Sequence, residues 1–285
     1  MKKATIWGIS LLIAATVTAC GGTGQKENTE ADSTSNEIEA TSEASQETDA
    51  SSALKSVIES AAENLPDNLE EDEMIMVDYD FSNLGIAGSL PDVEVSLDAL
   101  REKYPDACSY IVIPGTNISD VIVKKIDSND YYLEHSADGE SSQTGSICME
   151  MGNETDYTDP VTCLYARAGE NGPFGELVNY LDAGFAKNNE FIYVYSDDCV
   201  NEYKVFAAYD TDDTERLLVK YNFYDYNEYQ SYINEVFSIR DMTAVINPDL
   251  KGITLGTWNI ITLVAIDDDG SRQLVQAVFN GRTNY

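Results

Sequence analysis

Apolar residues recur with helical spacing in several segments of the chain. Between Ser52 and Pro66 they stand at i, i+3, i+4, i+7, i+8 and i+11, the spacing of one face of an amphipathic helix. Serine suits the start of such a helix and proline suits its end. The apolar residues of this face are Leu54, Val57, Ile58, Ala61, Ala62 and Leu65.

Further helices are predicted downstream. A short one spans residues 96–103, and another begins near Phe174. The one near Phe174 is expected to carry on one face Leu177, Val178 and Leu181. The last follows Asp225 and Glu228, which suit a helix start. Its apolar stripe, typical of a core-facing helix, consists of Tyr229, Tyr232, Ile233, Val236 and Phe237.

Short runs rich in Val, Ile, Tyr and Thr, bounded by Gly, Asp or Asn, alternate with these helices. They predict strands at 110–113, 118–123, 146–151, 161–166, 191–195, 203–209, 217–221, 260–266 and 273–279. Many short strands with few helices are typical of a barrel or sandwich. The sequence therefore predicts a mostly β fold with peripheral helices.

The first residues follow a different pattern. Lys2 and Lys3 precede an uncharged, mostly apolar run from Ala4 to Ala19, which is the layout of a secretory signal peptide over residues 1–19. Val17-Thr18-Ala19-Cys20 resembles the bacterial lipobox. That resemblance implies cleavage before Cys20, acylation of its thiol, and anchoring to the outer face of the cytoplasmic membrane.

Residues 20–52 consist mainly of Ser, Thr, Glu, Ala, Gln and Asp, and Ile38 is the one large apolar residue among them. Such a segment buries too little surface to order itself, so it is predicted to be a disordered acidic tether. Residues 53–103 then form a helical segment, and residues 104–285 form the β domain.

Charge excludes several classes of partner. The chain has 17 Lys and Arg against 51 Asp and Glu, and removal of Lys2 and Lys3 leaves 15 against 51, a net charge of −36. Such a protein is repelled by phosphate, so we expect neither nucleic-acid binding nor adhesion to anionic headgroups through a basic patch.

Histidine and cysteine limit the chemistry further. With His135 as the one histidine, a zinc site of several histidines cannot be built, and any Ser-His or Cys-His pair must use it. We expect no metal and no cofactor. In an exported domain the remaining cysteines form disulfides, with three connectivities, or stay as free buried thiols: Cys108, Cys148, Cys163 and Cys199.

Several motifs together resemble the class B sortases, surface cysteine transpeptidases that cut a sorting signal and join it to cell wall or pilin. The resemblance covers residues 104–279 and implies a sortase-like β-barrel. Its motifs are Tyr104-Pro105-Asp106, Tyr110 to Ile118, Tyr131 to His135 with Gly139 and Gly145-Ser146-Ile147, Phe174 to Leu177, Tyr180 to Asp182, and Phe191 to Tyr195.

The family's catalytic positions carry other residues in this sequence. Where the family has Tyr-Gly-His-Asn, the chain reads Tyr165-Ala166-Arg167-Ala168, and where it has Thr-Leu-Ser-Thr-Cys, the chain reads Thr254-Leu255-Gly256-Thr257-Trp258. The family arginine persists as Arg272, although the gap after Trp258 is longer than usual. An indole is no nucleophile and a guanidinium stays protonated, so the resemblance implies a catalytically inactive member.

The leading hypothesis is a surface module that binds or scaffolds. Trp258 would anchor a ligand, and Arg167 with Arg272 would recognise a carboxylate or phosphate through forked hydrogen bonds. The partner would be a sorting-signal peptide, a cell-wall fragment or another surface protein. The competing interpretation is that Trp258 fills the old site as packing and each arginine pairs with a nearby acid.

Two other functions remain open from the sequence. A divergent cysteine transpeptidase would use Cys163 or Cys148 with His135, which requires an exposed thiol within hydrogen-bond reach of the imidazole. A calcium-binding module would use the acid-rich segments 210–215 and 267–269, but they lack regular ligand spacing and are more typical of solvated turns.

Overall fold

A computed structural model describes residues 85–87, 89–211 and 220–285. The predicted signal peptide, the lipidated Cys20, the tether and the helix between Ser52 and Pro66 lie outside these ranges, as do residues 212–219. Within the described part of the chain, no helix is long and apolar enough to cross a membrane.

The described residues form a closed barrel. Its strands are β1 (Ala107–Val112), β2 (Ser119–Val123), β3 (Ile147–Met149), β4 (Val161–Arg167), β5 (Phe191–Tyr195), β6 (Cys199–Thr211), β7 (Val245–Ile246), β8 (Ile260–Ile266) and β9 (Arg272–Asn284). Their order is β5-β1-β2-β3-β4-β8-β9-β6-β7, and a β5–β6 pairing closes eight of them into a ring. The predicted β-barrel, mostly β with peripheral helices, is therefore confirmed.

Two predicted helices have the expected bounds and caps. In α1 (Leu97–Lys103) the Ser96 hydroxyl accepts a hydrogen bond from the backbone N–H of Ala99. In α3 (Tyr226–Val236) the Asp225 carboxylate accepts one from Glu228 N–H. The predicted stripe of α3 is buried, since Tyr229, Ile233 and Val236 are inaccessible to solvent. Local capping and apolar periodicity were sufficient to predict both helices.

The helix predicted near Phe174 differs from expectation. Residues Gly175–Leu181 form a 3₁₀ helix, which is followed by α2 (Ala183–Asn188). Leu177 is buried, but Val178 is 55% exposed, so the predicted common face with Leu181 is wrong. A 3₁₀ helix turns every three residues rather than every 3.6, and adjacent residues 177 and 178 then point further apart.

Several short elements were not predicted, and one predicted strand is absent where it can be described. Residues Lys251–Thr257 form α4, preceded by a 3₁₀ turn at Pro248–Leu250, and β7 contains only two residues. Lys220 and Tyr221, the end of the strand expected at 217–221, are not in a strand. Elements this short carry too few residues for a periodic signal.

The barrel wall separates two apolar cores. The inner core fills the barrel and includes Leu164, Leu263 and Val275. The outer core covers the opposite face of β4, β8 and β9, and α3 and α4 pack over it. Side chains alternate between these faces along each strand, so every residue of β8 from Ile260 to Ala265 is buried. Only the last residue of β8 is partly exposed.

Candidate functional site

Two predicted site residues and one residue that was not predicted lie in one row, at the ends of adjacent strands. Parallel pairing of β4 with β8 sets Arg167 opposite Ile266, and antiparallel pairing of β8 with β9 sets Ile266 opposite Arg272. We call Arg167, Ile266 and Arg272 the strand-end row. Two strand spacings separate the arginine Cα atoms, about 10 Å, a distance that two long side chains can bridge from either side of a common ligand.

Arg167 is held by its surroundings. Its Nε donates to the carbonyl oxygen of Leu133 at 3.1 Å. Its terminal nitrogens lie 4.0 Å from a carboxylate oxygen of Glu134 and 3.8 Å from one of Asp268. Those carboxylates are 75% and 105% exposed, so each pair contributes little and is easily exchanged for another anion.

Arg272 has a different environment. It is half-buried at the start of β9, where it faces Ile266 on one side and Thr211 on the other. Its Nε is buried and has no hydrogen-bond acceptor among the described residues. A buried guanidinium donor without an acceptor is costly, so this group favours an anionic or carbonyl partner.

Trp258 lies away from the strand-end row. It follows α4 and precedes Ile260, which pairs with Val161 at the opposite end of β4 from Arg167. Six strand residues, about 20 Å, separate Ile260 from Ile266. The sequence-based expectation that Trp258 lines one site with Arg167 and Arg272 is therefore wrong.

The Trp258 ring packs in an aromatic stack instead. It lies 5.2 Å from the Tyr226 ring and 5.1 Å from the Tyr229 ring, nearly parallel to both. Its backbone is left-handed at φ 49°, which places the indole back over α3. A left-handed tryptophan is unfavourable by itself, and the stack supplies the packing that holds it there.

Hydrogen bonds fix α3 above the outer face of the sheet. Gln276 on β9 donates to the hydroxyls of Tyr232 and Thr262, and Tyr209 donates to Gln276. Tyr229 donates to the carbonyl oxygen of Thr254 in α4. These buried contacts, together with the aromatic stack, cover the face of β8 along its whole length up to Ile266.

None of the three cysteines near the outer face or barrel wall is poised for chemistry. Burial raises the pKa of the Cys108 thiol to about 11 and that of Cys148 to about 12, and it raises the pKa of Cys163 well above its ordinary value. Cys148 Sγ contacts the carbonyl oxygens of Asn129 and Tyr165. All four cysteines of the described region are free, so neither a Cys148–Cys163 bridge nor any other pairing is formed.

His135 is occupied elsewhere. Its Nδ1 lies 2.7 Å from the carbonyl oxygen of Tyr131, and its ring stacks on the Tyr131 ring at 4.0 Å. No hydrogen bond joins it to a thiol of the described residues, and those thiols are buried. The contact that a relocated Cys-His pair requires is thus not formed.

Sequence reasoning missed a hydrogen-bonded pair beside the strand-end row, formed by the half-buried Tyr165 and the buried Glu150. The Tyr165 hydroxyl donates to a carboxylate oxygen of Glu150 at 2.8 Å, and Asn129 donates to both oxygens of that carboxylate. Burial raises the pKa of Tyr165, with Cys163 and Glu150 adding to the effect. The Tyr165 hydroxyl therefore stays protonated. It acts as a hydrogen-bond donor to Glu150 rather than as a base.

The acid-rich segments do not converge on a metal site. Among the described residues, no group of three or more metal-ligating side chains is arranged to hold an ion. Asp210 lies close enough to Asp241 and Asp267 that, after burial, their charges raise its pKa. Residues 212–215 lie outside the description.

Comparison with known proteins agrees with the fold. Over 193 residues the chain is 26% identical to sortase B of Listeria monocytogenes, which covers 67% of this chain and 75% of the relative. No protein-family model matches the chain.

Solved structures give the same result. Sortase B from B. anthracis, in complex with AAEK1, is 26% identical with a TM-score of 0.53, covering 65% of this chain and 84% of that one. A Staphylococcus aureus sortase B–substrate complex is 25% identical with a TM-score of 0.57, covering 64% and 83%. Sortase B of Clostridium perfringens, 23% identical with a TM-score of 0.56 and coverages of 65% and 99%, supports the fold alone.

Proposed function

Since the chain belongs to the class B sortase-like family, we propose that it is a surface lipoprotein whose sortase-like domain binds peptide or cell-wall material without catalysing transpeptidation. The proposal has an anchoring part, which rests on Cys20, and a binding part, which rests on the strand-end row. Each part has its own test.

The observation that carries the binding part is the register of Arg167, Ile266 and Arg272. Residues 262–266 read Thr-Leu-Val-Ala-Ile, which matches the family's Thr-Leu-Ser-Thr-Cys at its first two positions. We assign this segment, rather than Thr254–Trp258, to the family motif, because its last residue lies directly between the positions of the family histidine and arginine. Ile266 then stands where the nucleophile would be.

The chemistry follows from these side chains. An isoleucine offers no electron pair for attack on a carbonyl, and a guanidinium cannot exchange a proton with a leaving amine at physiological pH. Loss of the nucleophile alone lowers turnover in protease-like sites by roughly a million-fold. What the row retains is an aliphatic contact between two cations, which is suited to binding an anionic group beside an apolar one.

The binding part is tested by isothermal titration of the purified protein with sorting-signal peptides and with solubilised wall fragments. Binding that is lost in Arg272→Gln but kept in Arg282→Gln supports it, because Arg282 lies on the same strand at its other end. If neither the peptides nor the wall fragments bind, the binding part is contradicted.

The anchoring part is tested in bacteria expressing the full chain. Metabolic labelling with a fatty acid should mark the wild-type protein, and Cys20→Ala should remove the label and release the protein into the medium. Labelling that persists in Cys20→Ala would refute the lipid anchor without affecting the binding part.

A further inference from the structure

The outer face of the sheet, along which an extended peptide would have to lie, is closed over most of its length. Every residue of β8 from Ile260 to Ala265 is buried, as is every residue of β4 from Val161 to Leu164. Exposure begins only at Tyr165, Arg167, Ile266 and Arg272. A ligand on this face therefore has access to the strand ends and to little else.

The cover that closes the face is built into the fold. Tyr232 is hydrogen-bonded to Gln276 on the sheet, and Tyr226 and Tyr229 donate to carbonyl oxygens of Leu255 and Thr254 in α4. The Trp258 ring stacks on both tyrosines of α3. Opening the face would break buried hydrogen bonds and aromatic contacts together, so the cover is a permanent wall rather than a flexible lid.

A second contact closes the side next to β3. Gly152 follows β3, and a side chain added there would meet the Tyr221 ring at 2.6 Å. The segment that carries Tyr221 is held to α3, because Glu228 pairs with Lys220 at 2.5 Å and accepts a hydrogen bond from Tyr224 N–H. The sheet face is therefore covered beside β3 as well.

The open end has the chemistry of a carboxylate site. Arg167 has weak, exposed acidic partners, and Arg272 is half-buried with an Nε that has no acceptor among the described residues. Ile266 lies between the two arginines in the strand register. Planar guanidinium groups bind carboxylates through paired hydrogen bonds, and the aliphatic side chain between them suits the last side chain of a peptide.

From this arrangement we propose that the domain recognises the C-terminal carboxylate of a peptide, inserted end-on, rather than an internal segment of an extended chain. This inference rests on the proposed binding function and specifies its ligand class. An internal segment has chain on both sides of the bound residue, and the cover leaves room for only one. A terminus places its negative charge at the strand-end row without a continuing chain.

The experiment uses the full protein and two pools of randomised octapeptides, identical except that one has free C-terminal carboxylates and the other has C-terminal amides. Affinity selection followed by mass spectrometry should retain members of the free-acid pool and enrich them about tenfold or more over their amides, the size expected for loss of a charge-assisted hydrogen-bonded pair. Extension of a retained sequence by several residues beyond its C-terminus should abolish retention.

Variants separate the carboxylate contact from general folding effects. Arg167→Gln and Arg272→Gln should each lower the affinity for a retained peptide about tenfold, and Arg282→Gln should leave it unchanged. Asp268→Asn should raise the affinity about twofold, because it removes an acid that competes for Arg167. Thermal unfolding of each variant identifies any that fail to fold. The comparison between the free-acid and amide pools is made on the wild-type protein and needs no variant.

The outcomes distinguish the two levels of the proposal. Equal retention of acids and amides, or retention of the extended sequences, overturns end-on carboxylate recognition and leaves the binding function standing. Retention of neither pool overturns end-on carboxylate recognition and the peptide-binding form of the proposed function, and the titration with wall fragments then decides the rest. Selective retention of free acids that survives Arg272→Gln would overturn the assignment of the site to the strand-end row.

Discussion

Arg167 and Ile266 are register partners in the parallel β4–β8 pair, at the point where both strands end. Parallel pairing brings the carboxyl ends of two strands to one edge of a sheet, and in the proposed assignment of the family motif a histidine and a cysteine would meet there. The pair here is a permanent cation beside an aliphatic side chain. The proposed loss of catalysis depends on this one contact.

A cysteine placed at position 266 should be unusually reactive. Arg167 and Arg272 are the register partners of this position on its two sides, and nearby cations lower a thiol pKa below its ordinary value of about 8.5. Ile266→Cys is therefore expected to react with iodoacetamide at neutral pH several times faster than Tyr224→Cys, a cysteine on a residue that is 87% exposed. Equal rates in the two variants would argue against the two cations converging on position 266.

The native cysteines of the barrel should be inert in the folded protein. Burial raises the pKa of Cys108 to about 11 and that of Cys148 to about 12, and neither is exposed. We expect no alkylation of Cys108, Cys148 or Cys163 at neutral pH, and full alkylation after unfolding in guanidinium, as read by peptide mass mapping. Fast modification of Cys148 or Cys163 in the native state would instead revive a relocated nucleophile.

Stability should fall in alkaline solution. The folded state holds the protons of Cys108 and Cys148 up to a pKa of about 11 and about 12, whereas the unfolded chain releases them near pH 8.5. Their contribution is complete below about pH 8.5 and declines as pH rises toward the folded pKa values, by about 1.4 kcal/mol per pH unit for each thiol.

Urea unfolding between about pH 7 and pH 10 measures this decline. The slope above the unfolded thiol pKa should become shallower in Cys148→Ala by about the contribution of one thiol. A free energy of unfolding that stays constant over this range, or a slope unchanged by the substitution, would contradict the buried neutral thiols.

Trp258 should matter for stability and not for ligand binding. Removal of a stacked aromatic ring leaves a cavity between α3 and α4, so Trp258→Ala is expected to lower the free energy of unfolding by about 3 kcal/mol. Trp258→Phe keeps a stacking ring and should lower it by roughly 1 kcal/mol. At a temperature where both variants are folded, peptide affinity should equal that of the wild type, and selective loss of affinity in Trp258→Ala would return the ligand site to the indole.

The sequence predicted well those elements whose signals are local. The start and the buried face of α3 were predicted from Asp225 and from the apolar stripe that begins at Tyr229. Both signals are local, because a cap and a helical period are properties of neighbouring residues. Alternating β-branched runs similarly located strands such as β4 and β8. The helix near Phe174 was placed correctly but given the wrong face at Val178, because apolar spacing does not distinguish a 3₁₀ helix from an α-helix.

The site was harder to predict because it depends on strand register. The chain contains Thr-Leu twice, at Thr254 and at Thr262, and the sequence alone offered the first as the family motif. The longer gap between Trp258 and Arg272 was the one available sign in favour of the second. The proposed choice of the second rests on the pairing of Ile266 with both Arg167 and Arg272, and long-range pairing leaves no local mark.

We propose that the strand-end row binds a ligand without catalysing transpeptidation. The decisive experiment incubates the full chain with sorting-signal peptides and an amine acceptor, and mass spectrometry then detects cleavage and amine exchange. We predict no product and no covalent peptide adduct over the time in which an active sortase exhausts the same substrate. Turnover that is abolished by a thiol-alkylating reagent would contradict the claim.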